Sequence, residues 1–246
     1  MNLLVCISKT PETTAKISFV DGDTKFNTEG VQYIMNPYDE WYSLVRALEL
    51  KEAHGGKVIA FNVGQADNDI IIRKALAIGA DEAVRVDADD SSSLFVARQI
   101  AAYAVSNEID MILLGKETIS YNGSEVGAMV SEILDYPYLS YASKLEMNGN
   151  TATVQMDIEG GVEVVEVDTP FVISAAKGLA EQRIPNMRGI MMAKRKPLTI
   201  IDPVNQDEMV EYVSYTLPAG KTAVKMLDPE NMDELVRLLH EEAKVI

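Results

Sequence analysis

Several things are scarce in this 246-residue sequence. It has one cysteine, Cys6, two histidines and one tryptophan. A lone cysteine excludes an intramolecular disulfide and a cysteine-based zinc site, and His54 and His240 leave little material for a histidine metal site. No stretch approaches the ~18–20 continuous apolar residues that a membrane span needs. The opening run, Met1-Asn2-Leu3-Leu4-Val5-Cys6-Ile7-Ser8-Lys9, lacks a basic lead-in and reads as a first buried strand rather than a signal peptide; a cytoplasmic location is the simplest expectation. Positive charge is also short. Twenty-two Lys and Arg stand against 38 Asp and Glu, a net charge of −16, which would repel nucleic-acid phosphates. No Gly-x-Ser-x-Gly elbow, Walker-type phosphate loop or His-Glu-x-x-His helix is present, so a hydrolase is disfavoured and no catalytic residue is assigned.

What is present is ordinary globular material, 47% hydrophobic. Apolar runs at 3–7, 58–63, 83–86, 111–114 and 171–175 read as buried strands. Between them, Trp41, Leu44, Val45, Leu48 and Ala53 fit one helix face. Ile71, Ile72, Ala75, Leu76 and Ile78 fit a second, and Leu94, Ala97, Ile100, Ala101 and Ala104 a third. Continuous apolar strands alternating with helices predict an α/β fold with a doubly wound, mostly parallel sheet, Rossmann-like and of the adenine-nucleotide-binding type. Asp67 is expected to cap the second helix, Gly79 to end it in the left-handed cap position, and the serines 91–93 to open the third.

After about Tyr141 the pattern changes. Segments 144–148, 151–158 and 162–167 resemble antiparallel strands joined by Asn148-Gly149-Asn150 and Glu159-Gly160-Gly161 turns, a small meander within 142–170. Residues 183–203 read as loop, limited by Pro185, Pro197 and Pro203. The expected division is a nucleotide-binding domain at 1–203 and a C-terminal helical extension at 204–246. In that extension Asp228-Pro229 is expected to start a helix whose stripe of Met232, Leu235, Val236 and Leu239 packs either on its own domain or on a partner.

The best binding candidate is the loop Gly115-Lys116-Glu117-Thr118-Ile119-Ser120-Tyr121-Asn122-Gly123-Ser124-Glu125-Val126-Gly127. It joins a buried strand to a helix expected near Ser124. Gly115 lets the backbone pass close to a ligand, and the helix's first N–H groups favour a phosphate; an ordinary polar connection is the alternative. A second candidate is Asn36-Pro37-Tyr38-Asp39, where Asp39 can cap the first long helix and Tyr38 can pack internally or stack on a ring system. Cys6 reads either as a small buried side chain or, less readily, as a reactive thiol. Segment 177–196 carries Lys177, Arg183, Arg188, Lys194, Arg195 and Lys196 against Glu181. This basic island is either a solvated loop or a contact zone for a partner or an anionic cofactor.

These segments together resemble the β subunit of electron-transferring flavoproteins. The resemblance covers roughly residues 1–200 and rests on Asn36-Pro37-Tyr38-Asp39, Arg73-Lys74-Ala75-Leu76-Ala77-Ile78-Gly79-Ala80-Asp81, Leu113-Leu114-Gly115-Lys116, Glu159-Gly160-Gly161 and the stretch 183–196. It implies an electron carrier of fatty-acid β-oxidation without its own catalytic site. The chain would form a heterodimer with an α subunit that holds most of one FAD, accept electrons from acyl-CoA dehydrogenases and pass them to a membrane quinone oxidoreductase. It would also bury a structural AMP, which a second FAD replaces in electron-bifurcating relatives. Carried over by position, the nucleotide site involves Cys6, Asn36, Pro37, Tyr38, Asp39, Val63, Gly115, Lys116, Ser120, Tyr121, Asn122, Gly123, Ser124, Glu125 and Val126. Tyr38 falls where the family places an aromatic residue near the flavin. The basic stretch matches the family's recognition loop, with Met187 as its hydrophobic anchor beside Arg188 and Ile190. Many members carry an Asp-rich segment followed by Gln where this chain has Ser120 to Val126, and Glu125 would repel a phosphate unless it points away or accepts a ribose hydroxyl. The competing reading is a stand-alone adenine-nucleotide module of the universal-stress type.

Overall fold

The computed structural model describes residues 1–37, 39–90, 92–204, 210–221 and 223–246. Tyr38 and Ser91 therefore lie outside the described residues.

A nine-stranded sheet organises the chain. Its strands are β1 (Asn2–Cys6), β6 (Lys57–Val63), β7 (Glu82–Val86), β8 (Met111–Gly115), β9 (Tyr138–Asn148), β10 (Thr151–Ile158), β11 (Gly161–Asp168), β12 (Phe171–Ala175) and β13 (Leu198–Ile201), in the order β11-β10-β9-β12-β8-β1-β6-β7-β13. All pairings from β9 through β12 to β13 are parallel, whereas β9, β10 and β11 pair antiparallel. The meander thus extends the main sheet as one continuous ladder. Two short pairs lie outside it, β2 (Lys9–Pro11) with β5 (Tyr33–Met35), and the hairpin β3 (Phe19–Val20) with β4 (Lys25–Phe26).

The two-residue period of the strands divides the core in two. Leu3, Val5, Val58 and Ala60 face helices α1 (Asp39–His54) and α2 (Asp69–Ile78), where Leu44, Leu48, Ile72 and Leu76 are buried. Leu4, Cys6, Ile59 and Phe61 face α3 (Ser93–Ser106) and α4 (Val126–Leu134), with Phe95, Ile100 and Val130. The sheet is therefore doubly wound, as its largely apolar strands predict. No helix among the described residues is long and apolar enough to cross a membrane.

Local punctuation departs from the sequence reading in several places. Asp67 caps nothing; its carboxylate pairs with Lys9 at 2.5 Å, and α2 starts one 3₁₀ turn later after Asn68. Gly79 ends α2 at φ 160°, not in the left-handed region, and it is required for space: an added Cβ would lie 2.7 Å from Leu48. Ser92 does open α3, accepting from the Phe95 N–H. Helix α4 begins at Val126, not Ser124. Segment 183–203 is not all loop. It holds helix α5 (Met187–Ala193), capped by Asn186, and edge strand β13. Pro197 precedes that strand and so removes no ladder hydrogen bond from within it.

In the extension, Asp228 forms a turn with Glu230 and Asn231, and it is Asn231 that caps α6 (Met232–Arg237). The expected apolar stripe stays largely in solvent, with Met232 and Val236 exposed, while Leu238 in the following π turn is buried.

Candidate functional site

In an open parallel sheet a crevice forms where neighbouring strands are followed by helices on opposite faces. Here that point lies between β1 and β8. A cleft of about 340 Å³ opens at their carboxyl ends. Its inner wall is Cys6, Val63, Val96, Ile100 and Leu114, and its mouth is the loop that follows Gly115.

Of the residues expected at a nucleotide site, Cys6, Val63, Gly115, Lys116, Ser120, Tyr121, Gly123, Ser124 and Val126 line this cleft. Asn36, Pro37, Asp39, Asn122 and Glu125 are not in the lining. Asn36 and Asp39 instead shape the loop from behind. The fully buried Asn36 donates its amide to the Glu117 carbonyl at 2.9 Å, and Asp39 accepts the Glu117 N–H at 3.3 Å. Burial raises the Asp39 carboxyl above its ordinary range. The Pro37 carbonyl accepts from the Gln182 amide. Asn122 takes a left-handed turn position, φ 55°, in a loop closed by Thr118 N–H to the Gly123 carbonyl at 2.9 Å. Glu125 is exposed and is not in the cleft lining.

The start of α4 is suited to an anion. The N-cap Glu125 side chain makes no capping bond to the first turn, which leaves N–H groups and the positive end of the helix dipole at the loop. Gly127 sits against Tyr138, where an added Cβ would be 2.8 Å from the phenol oxygen. Lys116 supplies a cation at the mouth, held by Glu117 at 2.8 Å and lying 5.4 Å from the Tyr141 ring centroid. Its neighbour's carboxylate raises its pKa.

The inner end of the cleft holds an acid that sequence reading passed over. Glu40, in the first turn of α1, is buried; Ser8 donates its backbone N–H to one carboxylate oxygen and its hydroxyl to the other. Burial pushes Glu40 up to about 7, against the lowering effect of those bonds. The Cys6 thiol is driven up by burial and then by the Glu40 charge, which makes it a poor nucleophile. No group of three metal-ligating side chains is found among the described residues.

The chain matches the family model of the electron transfer flavoprotein domain over residues 23–205. It is 37% identical to the electron transfer flavoprotein subunit beta of Bacillus subtilis over 260 residues, covering 100% of both chains. The chain belongs to the electron transfer flavoprotein β-subunit family. The same-named protein of Syntrophomonas wolfei is 35% identical over 91% of this chain and 88% of its own, and that of Homo sapiens 32% over 91% of each.

Within this flavoprotein-family chain a second surface stands apart from the cleft. Helix α5 lies on α2, and Gly189 is pressed so close that a Cβ would meet the Ala77 carbonyl oxygen at 2.4 Å. Two of the six basic residues in this region are used internally. Arg183 pairs with both oxygens of Glu52 at 2.6 and 2.9 Å. The Lys196 ammonium bonds the Leu76, Gly79 and Ala80 carbonyls at the end of α2. Arg73 returns the contact by donating to the Ala193 and Lys196 carbonyls. On this fixed base, Met187 is 74% exposed and Ile184 87%, with Ile190, Met191, Arg188, Lys194 and Arg195 also in solvent.

Two further cleft residues come from the tail, Tyr212 and Tyr215. Aromatics three apart in the tail were their signal. Glu40 had a weaker one, its place one residue after the Asn36-Pro37-Tyr38-Asp39 motif.

Proposed function

We propose that this chain is the β subunit of a heterodimeric electron carrier without a catalytic site of its own. In this reading it works in the cytoplasm with an α subunit that holds most of the FAD. Electrons arrive from acyl-CoA dehydrogenases and leave toward the respiratory chain through a membrane quinone oxidoreductase. The observation that carries the reading is the end-to-end match with proteins named electron transfer flavoprotein subunit beta. Body 1–203 would bind the nucleotide and seat the flavin partner, with 204–246 as an extension.

The cleft is assigned to a structural AMP. Its about 340 Å³ falls near the lower end of the roughly 300–1,000 Å³ range of ligand sites, which favours a mononucleotide over a second FAD. The uncapped turn of α4 and Lys116 would hold the phosphate. Cys6, Val63 and Leu114 would receive the base. The bound flavin would supply the redox chemistry; the protein's part is to position it and exclude water. The exposed Met187 on a short rigid helix suits docking to several dehydrogenases, because a flexible thioether adapts to different pockets.

Co-expression with an α subunit, followed by denaturation and mass spectrometry of the released small molecules, tests this. One FAD and one AMP per heterodimer is the expected result. Two FAD would establish a bifurcating protein. A stable, colourless single chain that binds ATP or AMP without a partner would establish a stand-alone nucleotide module.

A further inference from the structure

The extension beyond β13 does not simply lead away from the domain. Val204 is fastened at the sheet's far edge, where it donates to and accepts from the Gln99 side chain at 2.8 and 3.3 Å. By Tyr212 and Tyr215 the chain is at the β1/β8 cleft, on the other side of β6 and β7. There it is held by the β3–β4 hairpin. The Tyr215 ring stacks on Phe19 with centroids 4.8 Å apart and planes 12° off parallel, and its N–H bonds the Asp23 carbonyl at 2.8 Å. Tyr212 adds a third ring, 5.8 Å from Tyr215 and 16° off parallel.

We propose that Tyr212 and Tyr215 form an aromatic strap that closes the cleft and slows escape of the bound adenine nucleotide, an inference that rests on the nucleotide reading above. Three observations converge on it. The two rings line the cleft itself. Their attachment is light for so long a segment, since Val210, Val213 and Leu217 on the same strand of chain remain in solvent. The hairpin that receives them has no part in the main sheet, so it can release the tail without disturbing the core. Among the described residues, one ring stack and the Tyr215–Asp23 backbone bond hold the tail to the hairpin, and so light an attachment opens at low free energy. Aromatic rings in the lining of a cleft suit a purine, whichever edge the base presents.

The test uses the α/β heterodimer loaded with radiolabelled AMP and diluted into excess unlabelled AMP. Tyr212→Ala with Tyr215→Ala should release AMP on the order of tenfold faster, the effect of losing a base–aromatic stack. Heterodimer elution and flavin absorbance should be unchanged. Tyr212→Phe with Tyr215→Phe, which keeps both rings, should release at the wild-type rate. As a second measurement on the unmodified heterodimer, saturating AMP should slow tryptic cleavage at the exposed Lys221. Wild-type release by the alanine variant, AMP-independent cleavage, or loss of the heterodimer with AMP retained would each overturn the strap alone. A wild-type heterodimer that neither contains nor takes up AMP overturns the nucleotide reading as well.

Discussion

Ser8 donates twice to Glu40, its backbone N–H to one carboxylate oxygen at 2.9 Å and its hydroxyl to the other at 2.5 Å. These bonds favour the charged form, yet burial outweighs them and raises the acid from 4.5 to about 7. The folded state therefore holds this proton more tightly than the unfolded chain. Stability from this group is present below pH 4.5 and is lost as pH rises through about 7. At about 1.36 kcal/mol per pKa unit the full effect is at most about 3 kcal/mol. Glu40→Gln keeps an acceptor for the Ser8 N–H and offers a donor to its hydroxyl. It should flatten the pH dependence of the heterodimer's melting temperature in this window and gain several degrees on the wild type at about pH 8. Parallel curves for the two proteins would show that Glu40 does not titrate there.

Lys196 caps α2 from another part of the chain. Lys196→Met removes three hydrogen bonds to carbonyls that the helix itself leaves unpaired. The expected cost is about 1–3 kcal/mol. Hydrogen exchange should show it first in the last turn of α2 and in α5, with the β9–β11 meander unaffected. Uniform loss of protection would argue against a local cap.

Gly189→Ala places a methyl 2.4 Å from the Ala77 carbonyl oxygen. That oxygen belongs to helix backbone and has no freedom to give, so α5 must lift. Overpacking of this kind costs about 1–3 kcal/mol. Chemical denaturation should report that loss, and, on the proposed docking role of α5, electron acceptance from an acyl-CoA dehydrogenase should fall because the helix is displaced.

Met187→Ala tests docking without that displacement. The Asn186 cap, which accepts the Gly189 N–H at 2.8 Å, is retained, and the side chain removed is already in solvent. A hot-spot contact of about 2 kcal/mol predicts roughly a thirtyfold rise in KM for the dehydrogenase partner. Flavin content and melting temperature should match the wild type. Lost flavin would instead assign Met187 a structural role.

The sheet was legible because its strands are buried on both faces: 3–7 is apolar throughout, 58–63 and 171–175 are apolar but for the buried Asn62 and Ser174, and such runs admit few other readings. The cleft loop was legible from its place after β8. Element ends were less so. Asp67 and Asp228 have the chemistry of caps, but Lys9 recruits the first and a tight turn the second. Residues 187–193 were missed as a helix because flanking prolines mark limits on a helix, not its absence, and seven residues give too few turns for a period to show.

Local sequence, then, determined the doubly wound architecture, the place of the loop that lines the cleft and an apolar-basic segment, since each follows from near-neighbour patterning. Tertiary structure alone decided the rest. It sealed Glu40 in the cleft, divided the basic island into two internal anchors and an exposed set, and brought Tyr215 onto Phe19 with Tyr212 stacked beside it. Burial, ion pairing and ring stacking are properties of residues far apart in the chain, and they exist only once the sheet has brought those residues together.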